Sequence, residues 1–144
     1  MNLDIEQIKK YSPDVAESIH NLVKQLDDNY KPLSVQDIKD MLSSKNCFLV
    51  VAKNSQNKIV GMITLIIYRT PYTKKGILED VVVDVDFRKQ GIGTKLIQKA
   101  ISKAKEEGVS SVHFTSKPSR ESANQLYGKL GFKKRETNVY RLQL

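Results

Sequence analysis

The chain has 144 residues, of which 40% are hydrophobic and 28% charged, and its formal net charge is +8. These values are typical of one globular domain, which we place at residues 1–144. The longest uncharged apolar run, Ile59 to Tyr68, is too short to cross a bilayer, and the charged N-terminus does not resemble a signal peptide. One cysteine and two histidines argue against a disulfide or a metal site, so we expect a cytoplasmic protein without metal.

The positive charge is concentrated in the second part of the chain. Residues 1–85 contain 11 Lys/Arg and 11 Asp/Glu, whereas residues 86–144 contain 13 Lys/Arg and 5 Asp/Glu. A solvated, lysine-rich surface would account for this excess, and so would a polyanionic ligand or a nucleic acid.

The first half of the chain predicts a strand, two helices and a hairpin. Ser12 and Pro13 are typical of a helix N-cap and first position, and Ser34 is typical of a second N-cap. A polar turn, Asn54–Lys58, separates two apolar runs, which indicates an antiparallel hairpin. The predicted strands are Leu3–Ile8, Cys47–Lys53 and Ile59–Tyr68, and the helices follow Ser12 and Ser34.

The second half predicts alternating strands and helices. The strand Ile77–Val85 contains an uninterrupted apolar run, Val81–Val83, which we expect to be central and covered on both faces. A helix ending at Gly108 and a strand over Val109–Thr115 imply a crossover to a parallel neighbour. A last helix from Ser119 and a strand-rich stretch, Phe132–Leu142, complete a mixed α/β sheet.

A basic turn containing two glycines, Arg88 to Thr94, joins the buried strand to the following helix. Gly91 and Gly93 allow the backbone to approach a ligand without a Cβ in the way. The turn and the helix N-terminus can direct several N–H groups to one spot, which suits a phosphate or pyrophosphate. The pattern lacks the third glycine of the dinucleotide fingerprint and the Gly-Lys-Ser/Thr of a Walker A loop.

The segment Ile77–Thr94 resembles the acetyl-CoA-binding motif of the GNAT superfamily of N-acetyltransferases. The family pattern, Gln/Arg-x-x-Gly-x-Gly/Ala after a buried strand, is matched by Arg88 to Gly93, and a second family feature is matched by Leu126–Phe132. The resemblance implies a GNAT-like acyl-CoA N-acyltransferase fold. This fold has a central, mostly antiparallel sheet, one splayed parallel pair of strands and about four helices.

The resemblance further implies acetyl-CoA as co-substrate, with its pyrophosphate on the glycine turn and its pantetheine arm along the buried strand as an added pseudo-strand. Many family members hold the cofactor with an Asn seven residues before the tyrosine of the second motif. Arg120 occupies that position here, and Asn124 is a candidate substitute. The cofactor-binding residues implied are Val81, Val82, Val83, Arg88, Lys89, Gln90, Gly91, Ile92, Gly93, Thr94 and Asn124.

Two residues are candidates for catalysis by direct attack of an amine in a ternary complex. Tyr127 matches the family tyrosine that protonates the CoA thiolate, although its helical spacing also suits a core aromatic. Strict alternation places Glu79 on a face with Ile77, Val81 and Val83, where a raised pKa would suit a general base. A bulge would exchange the exposure of Glu79 and Asp80, and proton removal through water is a third arrangement.

The other chemistry-bearing residues have simpler interpretations. Cys47 lies in an apolar run and is most simply a small buried hydrophobe, and the two histidines, His20 and His113, are most simply structural or surface residues. Four carboxylates near the first two helices favour a cationic acceptor. They are Asp27, Asp28, Asp37 and Asp40.

The acceptor that the resemblance implies is a polyamine, an aminoglycoside, an amino sugar or a protein amine. Two alternatives stay open, namely a CoA-binding regulatory module without catalysis and a small basic nucleic-acid-binding protein. The lack of tryptophan and of aromatic residues among the basic ones disfavours nucleic acid. We expect no membrane partner, and the C-terminal Asn138–Leu144 could pair across a homodimer.

Overall fold

The computed structural model describes residues 2–144, which form two compact units. Residues up to Phe114 form the first, and Thr115–Leu144 form the second. Within the described residues, the strands are β1 (Asp4–Ile8), β2 (Cys47–Lys53), β3 (Ile59–Arg69), β4 (Lys74–Val83) and β5 (Val112–His113). The α-helices are α1 (Pro13–Leu26), α2 (Val35–Ser43), α3 (Ile92–Glu106) and α4 (Glu121–Lys129), and one 3-10 turn spans Val85–Phe87.

All five strands of the described chain belong to one mixed sheet in the first unit, in the spatial order β1-β2-β3-β4-β5. Neighbouring strands are antiparallel except for β4 and β5, which are parallel and joined through α3. This confirms the predicted fold class, a mostly antiparallel mixed sheet with one parallel pair.

The first two helices begin where the sequence predicts, because local side chains cap them. The Ser12 hydroxyl accepts a hydrogen bond from the Val15 N–H at 3.1 Å, with Pro13 at the first helical position. The Ser34 hydroxyl accepts from the Asp37 N–H at 3.0 Å in the same way. These caps satisfy helix-terminal N–H groups that have no partner within the helix.

The sheet has two differently covered faces. On the α1–α2 face, buried side chains of the first two helices form a cluster with residues of the sheet that include Leu49, Met62 and Val82. The α3 face carries Gly61, where an added Cβ would meet Leu96 at 3.1 Å and Ile92 at 3.3 Å.

A β-bulge at Asp80 determines the face on which each β4 residue lies. Thr64 pairs with Glu79 and Met62 pairs with Val82, so Asp80 and Val81 together stand opposite one β3 residue. Asp80 has φ +54°, a left-handed conformation that aspartate tolerates better than most residues. The extra residue brings Glu79 and Val82 to the same face of the sheet.

The bulge corrects the expectation of strict alternation around Glu79. Ile77 does share the α1–α2 face with Glu79, but Val83 pairs with Gly61 and lies on the α3 face. Glu79 and Asp80 are both exposed, so the bulge does not simply exchange them. The expectation that Val81–Val83 is covered on both faces is also wrong, because only Val82 is buried.

Other strands differ in extent from their predictions. The fourth strand runs over Lys74–Val83 instead of 77–85, and β5 contains only Val112–His113 instead of 109–115. The predicted C-terminal strand is wrong, because residues 132–144 are neither strand nor helix and their apolar side chains, such as Val139 and Leu142, are exposed. Strand propensity needs a neighbouring strand, and the described chain provides none for this stretch.

Candidate donor site at the end of β4

The backbone between β4 and α3 is held by several hydrogen bonds within the first unit. The Asp84 N–H donates to the Val60 carbonyl at 2.9 Å, and the Val85 N–H donates to Oε1 of Gln25, on α1, at 3.0 Å. Nε of Arg88 donates to the Val83 carbonyl at 3.0 Å. Arg88 thus joins the turn to the end of the strand, while its side chain is exposed.

The N-terminus of α3 provides backbone donors that no protein side chain caps. The N-cap, Gly91, has φ +78° and makes no side-chain capping bond, and the first turn contains no acidic residue. The Gly91 carbonyl accepts from the Lys95 N–H, so the preceding N–H groups of Ile92, Gly93 and Thr94 have no intrahelical partner. With the positive end of the helix dipole, this arrangement can bind an anion.

Gly93 is not explained by the needs of the fold. An added Cβ would meet only a Val83 methyl, at an ordinary 3.9 Å, and the residue lies in the first turn of α3 without a positive φ. Alanine, a better helix former, would therefore fit the protein itself. The missing side chain instead leaves space beside the free N–H groups of the turn.

The parallel pairing of β4 with β5 ends before the valine run. Only Gly76 and Ile77 of β4 pair with β5 in the described chain, whereas Val82 and Val83 still pair with β3. The β5-side edge of Val81–Val83 therefore has no strand partner among residues 2–144. An extended ligand could form backbone hydrogen bonds there as an added strand would.

Glu79 lies four residues before the end of the same strand, opposite the buried Thr64. Partial burial raises the pKa of the Glu79 carboxyl above its ordinary value, and the neighbouring Asp80 charge raises it further. A raised pKa brings a carboxylate closer to the basicity that a general base needs near neutral pH.

The remaining sequence-based candidates of the first unit have simple environments. Burial raises the pKa of the half-buried Cys47 thiol, which disfavours the nucleophilic thiolate. The four predicted acceptor-side carboxylates are exposed, and two accept local hydrogen bonds, Asp27 from the Asn29 N–H and Asp40 from Gln36. In the described residues no group of three or more His, Cys, Asp or Glu side chains could hold a metal ion. No described helix is long and apolar enough to span a membrane.

Tyr127 and Asn124 lie on α4, in the second unit. The Tyr127 carbonyl accepts from the N–H groups of Leu130 and Phe132, which ends the helix, and its ring is half-buried. Nδ2 of Asn124 donates to the Lys117 carbonyl at 3.0 Å. This bond orders the segment before α4 and leaves the amide oxygen of Asn124 for another partner.

The sequence did not predict a contact between two aromatic side chains of the first unit. The Tyr68 hydroxyl on β3 lies 3.0 Å from Nε2 of His113 on β5. His113 was expected to be a structural or surface residue, and Tyr68 carried no prediction beyond its strand. The alternation of side chains along each strand could have indicated that both residues lie on the α1–α2 face. Only the order of the strands in the sheet shows that they meet.

Residues 16–132 match the Acetyltransferase (GNAT) family, and the chain belongs to this family. An uncharacterized N-acetyltransferase of Methanocaldococcus jannaschii is 41% identical over 59 residues, which are 41% of this chain and 26% of that protein. A UPF0039 protein of Schizosaccharomyces pombe is 38% identical over 88 residues, 61% of this chain and 56% of that protein. The chain thus matches about a quarter and just over half of these relatives.

Solved acetyltransferases share the fold over almost the whole chain. A Trypanosoma brucei acetyltransferase superimposes with a TM-score of 0.83 at 27% identity, over 99% of this chain and 100% of that one. An aminoglycoside N-acetyltransferase, AAC(6')-Iy in complex with CoA, superimposes with a TM-score of 0.83 at 20% identity, over 99% and 95%. The second likeness concerns the fold alone.

Proposed function

We propose that this chain transfers the acetyl group of acetyl-CoA to a primary amine by direct attack within a ternary complex. The observation that carries the proposal is the uncapped N-terminus of α3, which follows directly on a strand edge without a partner. Family membership supports the same donor, and a relative of the same fold was solved with CoA.

The proposed donor site divides the cofactor between two elements. The pyrophosphate accepts hydrogen bonds from the backbone of Arg88 to Thr94, a range that contains Lys89, Gln90, Gly91, Ile92 and Gly93. The pantetheine arm pairs with Val81–Val83, which places the thioester near the bulge. Asn124 supplies a further cofactor contact through its amide oxygen. The proposed chemistry requires no metal.

The proposed reaction forms one C–N bond and breaks one C–S bond. The amine nitrogen attacks the thioester carbonyl after losing a proton to Glu79, directly or through one water. Collapse of the tetrahedral intermediate releases CoA thiolate, which takes a proton from the Tyr127 hydroxyl. The nitrogen loses its second proton as the intermediate collapses, and this proton returns through solvent to the Tyr127 phenolate. Glu79 then releases its proton to solvent, so an ammonium and acetyl-CoA give an amide, the CoA thiol and one proton. Tyr127 enters this scheme through its match to the family motif.

The acceptor class in this proposal is a small primary amine or a protein amine in the cytoplasm. A panel assay tests the function: thiol release from acetyl-CoA is followed with a polyamine, an aminoglycoside, an amino sugar, an arylalkylamine and a lysine peptide. We expect acceptor-dependent thiol release for at least one amine, with the acetylated product seen by mass spectrometry. Salt-sensitive DNA or RNA binding without CoA affinity would contradict the proposal, and CoA binding without transfer to any amine would favour a regulatory module.

The Gly93→Glu variant tests whether the turn binds the CoA pyrophosphate or only joins β4 to α3. Glutamate is a good helix former, and in the first turn its charge stabilises the helix dipole, so the free energy of unfolding should stay equal or rise by about 0.3–1 kcal/mol. The same carboxylate would repel the pyrophosphate, so CoA affinity should fall by at least about tenfold. Chemical denaturation and calorimetric titration with CoA measure the two effects.

The matched control for this variant is Gln98→Glu, which adds the same charge at an exposed position within α3. We expect it to change CoA affinity by less than about twofold, because it lies away from the free N–H groups. Equal loss of CoA affinity in both variants would indicate a general charge effect and would contradict a pyrophosphate site at the turn.

The Glu79→Gln variant tests the proposed base. Protonation of Glu79 should lower kcat on the acid side, and the midpoint of that decrease should be raised relative to the pKa of an ordinary glutamate. Removing the carboxylate should reduce kcat by about 10²-fold and abolish this limb of the pH profile. The pH profile of kcat at saturating acceptor reports the pKa of the base in the ternary complex.

Asp80→Asn is the control for Glu79, because asparagine also tolerates the left-handed conformation at this bulge. The Asp80 charge raises the pKa of Glu79, so its removal should shift the acid limb to lower pH with kcat at the plateau largely retained. An acid limb that persists in Glu79→Gln would remove Glu79 from the mechanism.

The Tyr127→Phe variant tests the proposed acid. Loss of the hydroxyl should lower kcat by about 10²-fold with little change in CoA affinity, because the proton is needed only as the thiolate leaves. Tyr140→Phe, at an exposed tyrosine of the same unit, is the matched control and should leave kcat unchanged. An unaltered kcat in Tyr127→Phe would show that the residue is only structural.

A further inference from the structure

Tyr68 and His113 make a contact that spans a whole strand of the sheet. Tyr68 lies on β3 and His113 on β5, with β4 between them. The Tyr68 hydroxyl and Nε2 of His113 are 3.0 Å apart, and their rings are nearly parallel, 7° apart in angle, with centroids separated by 6.2 Å. Both side chains are half-buried, and the hydrogen bond fixes the two polar atoms relative to each other.

The pair lies on the same face as Glu79, the proposed base. Along β3 and β4 the register pairs Glu79 with Thr64, Ile77 with Ile66 and Lys75 with Tyr68, and His113 pairs with Ile77. These residues are therefore all on the α1–α2 face. From strand geometry, the Cα atoms of Glu79 and His113 are roughly 8 Å apart, two residues along the strand and one strand across.

The pair lies outside the buried cluster under α1 and α2. The buried cluster under α1 and α2 includes Met62 and Val82 but none of the residues farther along this face towards Arg69. Ile66 and Ile77, which lie between Glu79 and the pair, are only half-buried. This part of the face thus includes a carboxylate, a short apolar floor and a hydrogen-bonded aromatic pair.

Opposite charges lie at the two ends of this stretch of the face. Glu79, with Asp80 beside it, makes one end negative, whereas Lys75 lies on the same face at the other end, opposite Tyr68. A primary ammonium suits the Glu79 end. A second ammonium at the far end of the same molecule would meet Lys75, which disfavours an extended polyamine lying along this floor.

We propose that Tyr68 and His113 form a specificity-determining pair for the acetyl acceptor, and that this acceptor is a primary monoamine with a flat apolar body. The far end of the acceptor carries a neutral hydroxyl or carbonyl that hydrogen-bonds to the pair. This inference rests on the proposed acetyl transfer at Glu79 and narrows its acceptor class. The apolar body covers Ile66 and Ile77, which confers selectivity through burial and one polar contact.

Tyramine and phenethylamine test this proposal, because they differ only in the hydroxyl at the far end of the ring. We expect the wild type to acetylate tyramine with a kcat/KM about tenfold higher than phenethylamine, which is the effect of one well-placed hydrogen bond. Spermidine, tested in parallel, should be the poorer substrate. The KM for acetyl-CoA should be the same with each amine.

Two conservative variants assign the preference to the pair. Tyr68→Phe removes one oxygen, and His113→Phe keeps a stacked ring but removes both nitrogens. Each should abolish the preference by lowering kcat/KM for tyramine to about that for phenethylamine, with the KM for acetyl-CoA unchanged. The double variant should lose no more than either single one, because the two side chains act as a unit. Tyr72→Phe, at a tyrosine that is 90% exposed, should behave as the wild type.

The outcomes separate this inference from the proposed function. Equal use of tyramine and phenethylamine, preference for spermidine, or transfer only to other amines would overturn the specificity role while acetyl transfer itself stands. Variants that lower the melting temperature but keep the tyramine preference would show a purely structural pair, which also overturns it. Absence of both CoA binding and transfer to every amine would overturn the proposed function as well.

Discussion

The β-bulge at Asp80 is the constraint on which the arrangement of β4 depends. Because one extra residue stands opposite β3 at this point, Glu79 lies on the α1–α2 face while Val83 lies on the α3 face, beside Gly93. One short segment can therefore direct a carboxylate to one side and continue into an anion-binding turn on the other. Holding Asp80 at φ +54° costs about 1–3 kcal/mol, which the paired strands on either side must offset.

The turn before α3 can attract an anion because no capping side chain and no acidic residue neutralises the N-terminus of the helix. An ordinary helix start would place Ser, Asp or Asn at the N-cap and an acidic residue in the first turn, as Ser12 and Asp14 do for α1. At α3 the cap is Gly91, and the first turn has no acidic residue. A phosphate group would complete this helix end, and the excess of Lys and Arg in residues 86–144 suits a polyanionic donor.

The features that sequence reasoning predicted correctly depend on neighbours in the chain. The caps at Ser12 and Ser34, the hairpin and the crossover to a parallel strand each need only local chemistry and connectivity. The bulge was foreseen only as an alternative, because strand alternation alone does not reveal where one extra residue is inserted. The Tyr68–His113 contact joins residues 45 positions apart across a third strand, so it depends on the sheet order. The predicted C-terminal strand failed because an apolar alternating pattern without a pairing partner does not make a strand.

The proposed function requires that CoA binds along β4 and at the N-terminus of α3. Amide chemical shifts followed by ¹H–¹⁵N NMR during a CoA titration test it most directly. We expect the largest shift changes at the N–H groups of Lys89–Thr94, together with slower hydrogen exchange at Val81–Val83. CoA binding that leaves these amides unchanged, with shifts confined to other parts of the chain, would contradict it.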